Sequence, residues 1–289
     1  MDMLSKKIKR RVNLIREDSK RGIYRFFSLY YLKNRFDRQR IQENRDIYPI
    51  KKENPLISIR IPTYNRADIL VNRTLKGILR QTYQNFEVVI VADHCSDNTE
   101  ELVRSLDDPR IRYYNSQAYP KEHFMDSEKR WFVPGYTALT QALDLCMGDW
   151  IATTDDDDEW HPDHLEKLVN FAMENNYEVV YSKVKRELEE DVWDTVGDGI
   201  FEWGRVSHAS VMYNKRLAFL RYSRDCWKYQ MPYDGEFFDR LRMLGARIGF
   251  LDEVTAIHYR EQNAEYLKEE KETKDEEEVK RLQSLKENE

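Results

Sequence analysis

The stretch Trp150-Ile151-Ala152-Thr153-Thr154-Asp155-Asp156-Asp157-Asp158-Glu159-Trp160 constrains this chain more than any other. Its apolar start reads as a buried strand. The segment His161-Pro162-Asp163-His164-Leu165-Glu166 then reads as a helix start, with Pro162 at the first helical position and acids in the first turn. The four consecutive carboxylates are therefore expected at the carboxyl end of a strand, where open α/β sheets bind ligands. Like charges held on a rigid edge repel one another and call for a cation. A hard divalent ion, Mn²⁺ or Mg²⁺, suits oxygen ligands; it typically takes one or two carboxylates and completes its shell with water and substrate phosphates. The competing reading is a solvated acidic turn, the usual state of a charge run. A strand before the run and a helix after it argue against that.

A chain of 289 residues is long enough for one large domain or one and a half. With 40% hydrophobic residues and 18 Tyr, 12 Phe and 6 Trp, it can build a core despite 35% charged residues. A net charge of −6 argues against nucleic acid as the main partner. Cys95, Cys146 and Cys226 are far apart and show no CxxC spacing, so neither a disulfide framework nor a zinc site is expected, and a reducing compartment is. No apolar run approaches the length of a membrane span, and the basic N-terminal stretch lacks the apolar core of a secretory signal.

Residues 1–48 read as a basic, aromatic helical arm. Lys6, Lys7, Lys9, Arg10, Arg11, Arg16, Lys20, Arg21 and Arg25 precede the aromatic cluster around Tyr30 and Tyr31. Such a helix suits an anionic membrane surface, or packing on its own domain or on a second copy of the chain. Strands are expected at 56–61, 86–92, 111–114 and 150–154, with helices at 67–81, 98–105, 136–147 and 162–175 between and after them. Further strands are expected at 178–182, 207–213, 248–251 and 255–259, with an irregular stretch at 185–203 and a helix ahead of Gly245. The long polar and aromatic loop 115–134 reads as functional. Residues 261–289 read as a charged helical or disordered tail. The alternation predicts one α/β domain over residues 55–260, a doubly wound and mostly parallel sheet. Three strands then end in polar clusters, at 62–66, 93–97 and 155–158, facing one crevice. Neither GxGxxG nor GxxxxGK[ST] is present, which weighs against the dinucleotide and P-loop readings.

Taken in order, these segments resemble the family 2 glycosyltransferases. The resemblance rests on Ile57-Ser58-Ile59-Arg60-Ile61-Pro62-Thr63-Tyr64-Asn65-Arg66, on Val89 to Thr99 with Asp93 at the strand end, on Gly148-Asp149-Trp150-Ile151-Ala152 leading into the acids, and on Pro162-Asp163-His164-Leu165-Glu166. It covers roughly residues 55–260. It implies a GT-A fold with a nucleotide-binding half and an acceptor-binding half, and an inverting reaction. Pro62, Tyr64, Asn65, Arg66 and Asp93 would hold the base and ribose of a nucleoside-diphosphate sugar. Asp155 and Asp156 would lie near the ribose, and Asp157 would bind Mn²⁺ or Mg²⁺. His258 would add a metal ligand, as a histidine does in some GT-A enzymes, and Asp234 would be the general base. Two features depart from the family. His94-Cys95-Ser96 replaces its frequent Asp-Gly-Ser, and Tyr233 stands where an acid often precedes the base. A basic residue near the diphosphate would have to come from Lys129 or Arg130.

The implied function is metal-dependent, inverting transfer of a sugar to a hydroxyl of a glycan or lipid-linked acceptor, in surface polysaccharide or glycoconjugate synthesis. Family habit makes the donor UDP-linked. The expected location is the cytoplasm, with the basic arm suited to the cytoplasmic face of a membrane. The rivals are a nucleotidyltransferase, for which residues 62–70 lack a glycine-rich loop, and a catalytically inactive scaffold that binds nucleotide-sugar or glycan. Elsewhere, Trp150 and Trp160 read as core residues. Trp203, Trp227 and Tyr229 are candidates for stacking on an acceptor sugar, and His208 for a substrate contact. Cys95 has no adjacent partner that would activate a thiol.

Overall fold

In a computed structural model the described residues are 30–116 and 132–260, with side chains described from residue 36. The basic stretch from Lys6 to Arg25, Lys129 and Arg130, and the charged tail at 261–289 lie outside them. The strands are β1 Ile57–Thr63, β2 Phe86–Ala92, β3 Ile111–Asn115, β4 Trp150–Thr153, β5 Glu159–Trp160, β6 Val179–Glu189, β7 Val192–Val196, β8 Met212–Asn214 and β9 Ile248–His258. They form one sheet in the order β3-β2-β1-β4-β8-β6-β9-β5, with β7 paired to β6. The neighbours β3, β2, β1 and β4 run parallel, as do β6 and β9. β5, β7 and β8 are antiparallel insertions.

The helices are α1 Tyr30–Ile47, α2, α3 Thr99–Ser105, α4 Tyr136–Leu145, α5 His164–Asn175 and α6 Tyr233–Met243. α2 opens as Ala67–Ile69, widens into the π-helical stretch Leu70–Leu75 and closes as Lys76–Leu79. The period-two alternation of the strands decides which layer each residue joins. Ile57, Ile59 and Ile61 pack with Leu70, Leu75 and Ile78 of α2 and with Leu165, Leu168 and Val169 of α5. On the other face Val89 and Val91 meet Ala138 and Ala142 of α4, while Ile151, Val179 and Tyr213 cluster with Phe237, Phe238 and Leu241 of α6. Each such isoleucine, leucine, valine or phenylalanine, buried on a two-sided sheet, contributes roughly 1.5–3 kcal/mol. The sheet is thus doubly wound and mostly parallel, as the sequence predicts.

Four local expectations are corrected. Segments 248–251 and 255–259 are one strand, β9, whose pairing with β6 shifts register beside Lys183 and so carries the polar interruption as a bulge. The stretch expected to be irregular holds the β6–β7 hairpin. The first half of the strand expected at 207–213 is a 3₁₀ turn, His208–Ser210. Pro162 stands one residue ahead of the α5 N-cap, Asp163, rather than at the first helical position. Gly148 makes the β1–β4 pairing possible: a Cβ there would lie 2.6 Å from both the nitrogen and the Oγ of Ser58.

Within its described part, α1 lies on its own domain. Ile41 is buried, Asn44 donates to the Arg216 carbonyl at 2.8 Å, and Arg45 pairs with Glu178 at 2.8 Å. Glu178 is fully buried and also pairs with Arg216 at 2.9 Å. Among the described residues no helix is long and apolar enough to cross a membrane.

Candidate active site

Because β1, β2 and β4 are parallel, their carboxyl ends lie on one edge of the sheet. Pro62 is the penultimate residue of β1, and Tyr64, Asn65 and Arg66 form the turn after it. Asn65 adopts a left-handed backbone, φ 48°, which asparagine tolerates better than most residues. Its Oδ1 accepts from Ser96 N at 2.9 Å, and Asp97 accepts from Ala67 N at 3.3 Å. Asn115 in turn holds Cys95 through both its amide atoms, at 3.0 and 2.8 Å. The ends of β1, β2 and β3 are therefore stitched into one rim. Tyr64 is 40% exposed on that rim, and Asp93 is buried beneath it.

The acidic run closes the adjacent corner, and each carboxylate has a cationic or imidazole neighbour. One Arg66 nitrogen reaches Asp156 at 3.0 Å and Asp157 at 2.9 Å. His208 Nδ1 lies 3.2 Å from Asp155 Oδ1. The β5–β9 register opposes Glu159 to Ile257 and so brings His258 beside Asp158, at 2.7 Å. The π-helical stretch of α2 places two consecutive side chains against the same loop. Arg73 donates to the Asp157 carbonyl at 3.1 Å and Thr74 to the Asp158 carbonyl at 2.8 Å. Single π turns of this kind are frequent at functional sites.

The charge balance is strained. Burial, and then the neighbouring Asp158, Asp156 and Asp155, push the Asp157 carboxyl up to about 8. Burial raises Asp156 to about 6 against the pull of Arg66. Burial opposes charge on His258, yet its hydrogen bond to Asp158 and the field of the other carboxylates lift it to about 9. Surplus carboxylate oxygens around Asp157 fit a hard cation. Among the described residues no three acidic, histidine or cysteine groups converge to hold an ion unaided. The cluster suits an ion that draws the rest of its shell from water and phosphate.

Asp234 sits in the first turn of α6, just after the N-cap Pro232, half-buried. Its Oδ1 accepts from Gly235 N at 2.8 Å. Burial raises its pKa, and Asp155 adds to the rise. The structure thus brings Pro62, Tyr64, Asn65, Arg66, Asp93, Asp155, Asp156, Asp157, Asp234 and His258 to one edge. The sequence reading leaves Asp158, Arg73 and Thr74 without a role. The signal for Asp158 is its place as the last acid before β5. The two α2 residues act through a π turn that no periodicity announces. Trp150 and Trp160 are core residues, whereas Trp203 is 40% exposed and packs over Gly235, beside Asp234. Burial pushes the Cys95 thiol up to about 11, so it stays an unreactive thiol.

The family described as glycosyl transferase family 2 matches residues 58–238. The chain is 41% identical over 133 residues to the putative colanic acid biosynthesis glycosyl transferase WcaA of Escherichia coli K12, a match covering 42% of each chain. It is 31% identical over 126 residues to the UDP-Glc:alpha-D-GlcNAc-diphosphoundecaprenol beta-1,3-glucosyltransferase WfgD of Escherichia coli, covering 44% of each. The chain thus spans less than half the length of these curated relatives. Among solved structures, S. aureus TarS 1-349 in complex with UDP-GlcNAc superposes with a TM-score of 0.57 at 17% identity, over 72% of this chain and 59% of that one. The Pyrobaculum calidifontis mannosyltransferase PcManGT, in complex with GDP-Man and Mn²⁺, gives 0.55 at 15% identity, over 85% and 70%. At these identities the likeness concerns the fold, which is of the GT-A type.

Proposed function

The chain belongs to glycosyl transferase family 2, and from that membership we propose that it transfers a sugar from a UDP-sugar to a hydroxyl of a glycan or lipid-linked acceptor, with inversion at the anomeric carbon. The observation that carries this reading is the meeting of the rim at 62–66 and Asp93, the acidic run 155–158 and Asp234 on one edge of the sheet. The rim would take the base and ribose, with the exposed Tyr64 ring offering a stacking face. Asp155 and Asp156 would border the ribose. Asp157 would hold Mn²⁺ or Mg²⁺, with His258 joining only once it has given up its proton, and the ion when bound supplies Lewis-acid stabilisation of the departing diphosphate.

The chain's own part in the reaction is positioning and proton removal. Asp234 takes the proton of the attacking hydroxyl. The new bond forms at the anomeric carbon as its bond to the diphosphate oxygen breaks on the opposite face, and the electron pair leaves with the diphosphate. A carboxylate with a raised pKa is a better base than an ordinary aspartate. Holding two substrates in line converts an encounter into a near-unimolecular step. WfgD is named for a UDP-glucose donor and a diphosphoundecaprenol-linked acceptor, which supports the UDP and lipid-linked reading. The basic residues from Lys6 to Arg25 would bring the protein to an anionic membrane carrying such an acceptor.

The test is a thermal-shift panel of nucleoside diphosphates with and without Mn²⁺ or Mg²⁺, on wild type and Asp157→Ala. A ligand that binds only the native state raises its melting temperature. The expected result is a metal-dependent shift with UDP that the variant loses. No shift with any nucleotide overturns the reading.

A further inference from the structure

We infer that His208 is a positioning residue for Asp155, held in one tautomer by a buried chain that begins at Arg60. The inference rests on the donor-site reading above.

Arg60 lies in the middle of β1, between two isoleucines of the core, and is 1% exposed. An arginine keeps its charge, and burying it is costly unless it is well paired. Among the described residues no carboxylate pairs with it. Its guanidinium instead lies 4.5 Å from the Tyr222 ring and 5.9 Å from the Tyr213 ring. One nitrogen reaches the Leu139 carbonyl at 3.4 Å, and another donates to the Tyr222 hydroxyl.

The chain continues from Tyr222. Burial raises the phenol's pKa far above its usual value, so the hydroxyl keeps its hydrogen. With Arg60 donating to it, that oxygen still has one hydrogen to give, and donation to His208 Nε2, 3.0 Å away, is the arrangement that uses it. A ring nitrogen that accepts carries no hydrogen, so the neutral imidazole bears its hydrogen on Nδ1. Nδ1 is buried and 3.2 Å from Asp155 Oδ1, off the line of a good hydrogen bond. Contacts of this kind commonly tighten only when substrate is bound. The same imidazole stands edge-on to Tyr233, 6.3 Å between ring centres, next to Asp234. His208 therefore sits where the donor side meets the proposed base. In that tautomer its N–H lies on the Asp155 side of the ring, 3.2 Å from Oδ1.

The experiment combines a direct and a kinetic readout. Imidazole ¹⁵N spectra of the labelled wild type are recorded, with the His208 signals assigned by their loss in His208→Asn. An Nδ1–H ring is expected, relaxing toward Nε2–H in Tyr222→Phe. Removing such a supporting contact is expected to raise the donor KM about tenfold in His208→Gln and Tyr222→Phe with less change in kcat, and His208→Asn, whose amide nitrogen stands where Nδ1 does, restores the value to about threefold. An Nε2–H ring in the wild type overturns the inference, as do equal donor KM values for the Gln and Asn variants. The latter, with matching losses of melting temperature, marks His208 as structural only. If wild type binds nucleotide and the variants bind it equally, this inference alone falls. If wild type binds none, the donor-site reading falls and takes it along.

Discussion

Burial raises the pKa of both Asp234 and Asp157 above the ordinary aspartate value. The proposed base must be unprotonated to act, and burial raises its pKa above 3.8. Activity should therefore fall as pH drops through a midpoint above that of an ordinary aspartate, an acid limb read from kcat/KM against pH. Asp234→Asn should lose about 10²–10⁴ of turnover, while the nucleotide-induced thermal shift stays near that of wild type. The candidate residues at this scale were legible because carboxylates at strand ends stand out against apolar strands. Their partners were not. Arg60 was visible as a charge within an apolar strand, yet nothing local ties it to Tyr222 or His208, which lie 162 and 148 positions away.

At the scale of elements, two close approaches set stability. Gly148→Ala forces a methyl to within 2.6 Å of the β1 backbone and should cost about 1–3 kcal/mol, read as a lower urea midpoint. Glu178 ties α1 to the domain through Arg45 and Arg216. Glu178→Ala leaves buried guanidinium charge uncompensated and should cost about 3–5 kcal/mol. Burial opposes its ionisation, but the hydrogen bonds from Arg45, the Arg247 backbone and Arg216 hold its pKa down to about 2, against an ordinary 4.5. Its stabilisation is therefore complete above pH 4.5 and lost as pH falls toward 2. The gap in melting temperature between wild type and Glu178→Gln should close over that window. Strand and helix identity was legible at most elements from apolar period alone. It failed at His208–Ser210 and in β9, where hydrogen bonds to neighbouring strands override the local pattern.

Across the whole molecule, the two halves of the sheet meet at β4 and β8, and the site lies where they meet. The basic stretch from Lys6 to Arg25 lies outside the described residues, and its charge leads to a separate expectation. The protein should pellet with vesicles of anionic lipid and be released by salt, since exposed charges are screened within about 8 Å at physiological ionic strength. Pelleting that ignores salt, or none at all, would refute the electrostatic version.

The alternation of strands and helices, the mostly parallel sheet and the identity of the acids follow from the sequence, because burial on two faces and chemistry at strand ends both leave local patterns. The tertiary structure alone decided which side chain answers which carboxylate. Arg66, His208 and His258 come from three distant segments, and only the sheet order sets them beside residues 155–158. Electrostatic pairing acts through space, and a one-dimensional pattern carries no record of it.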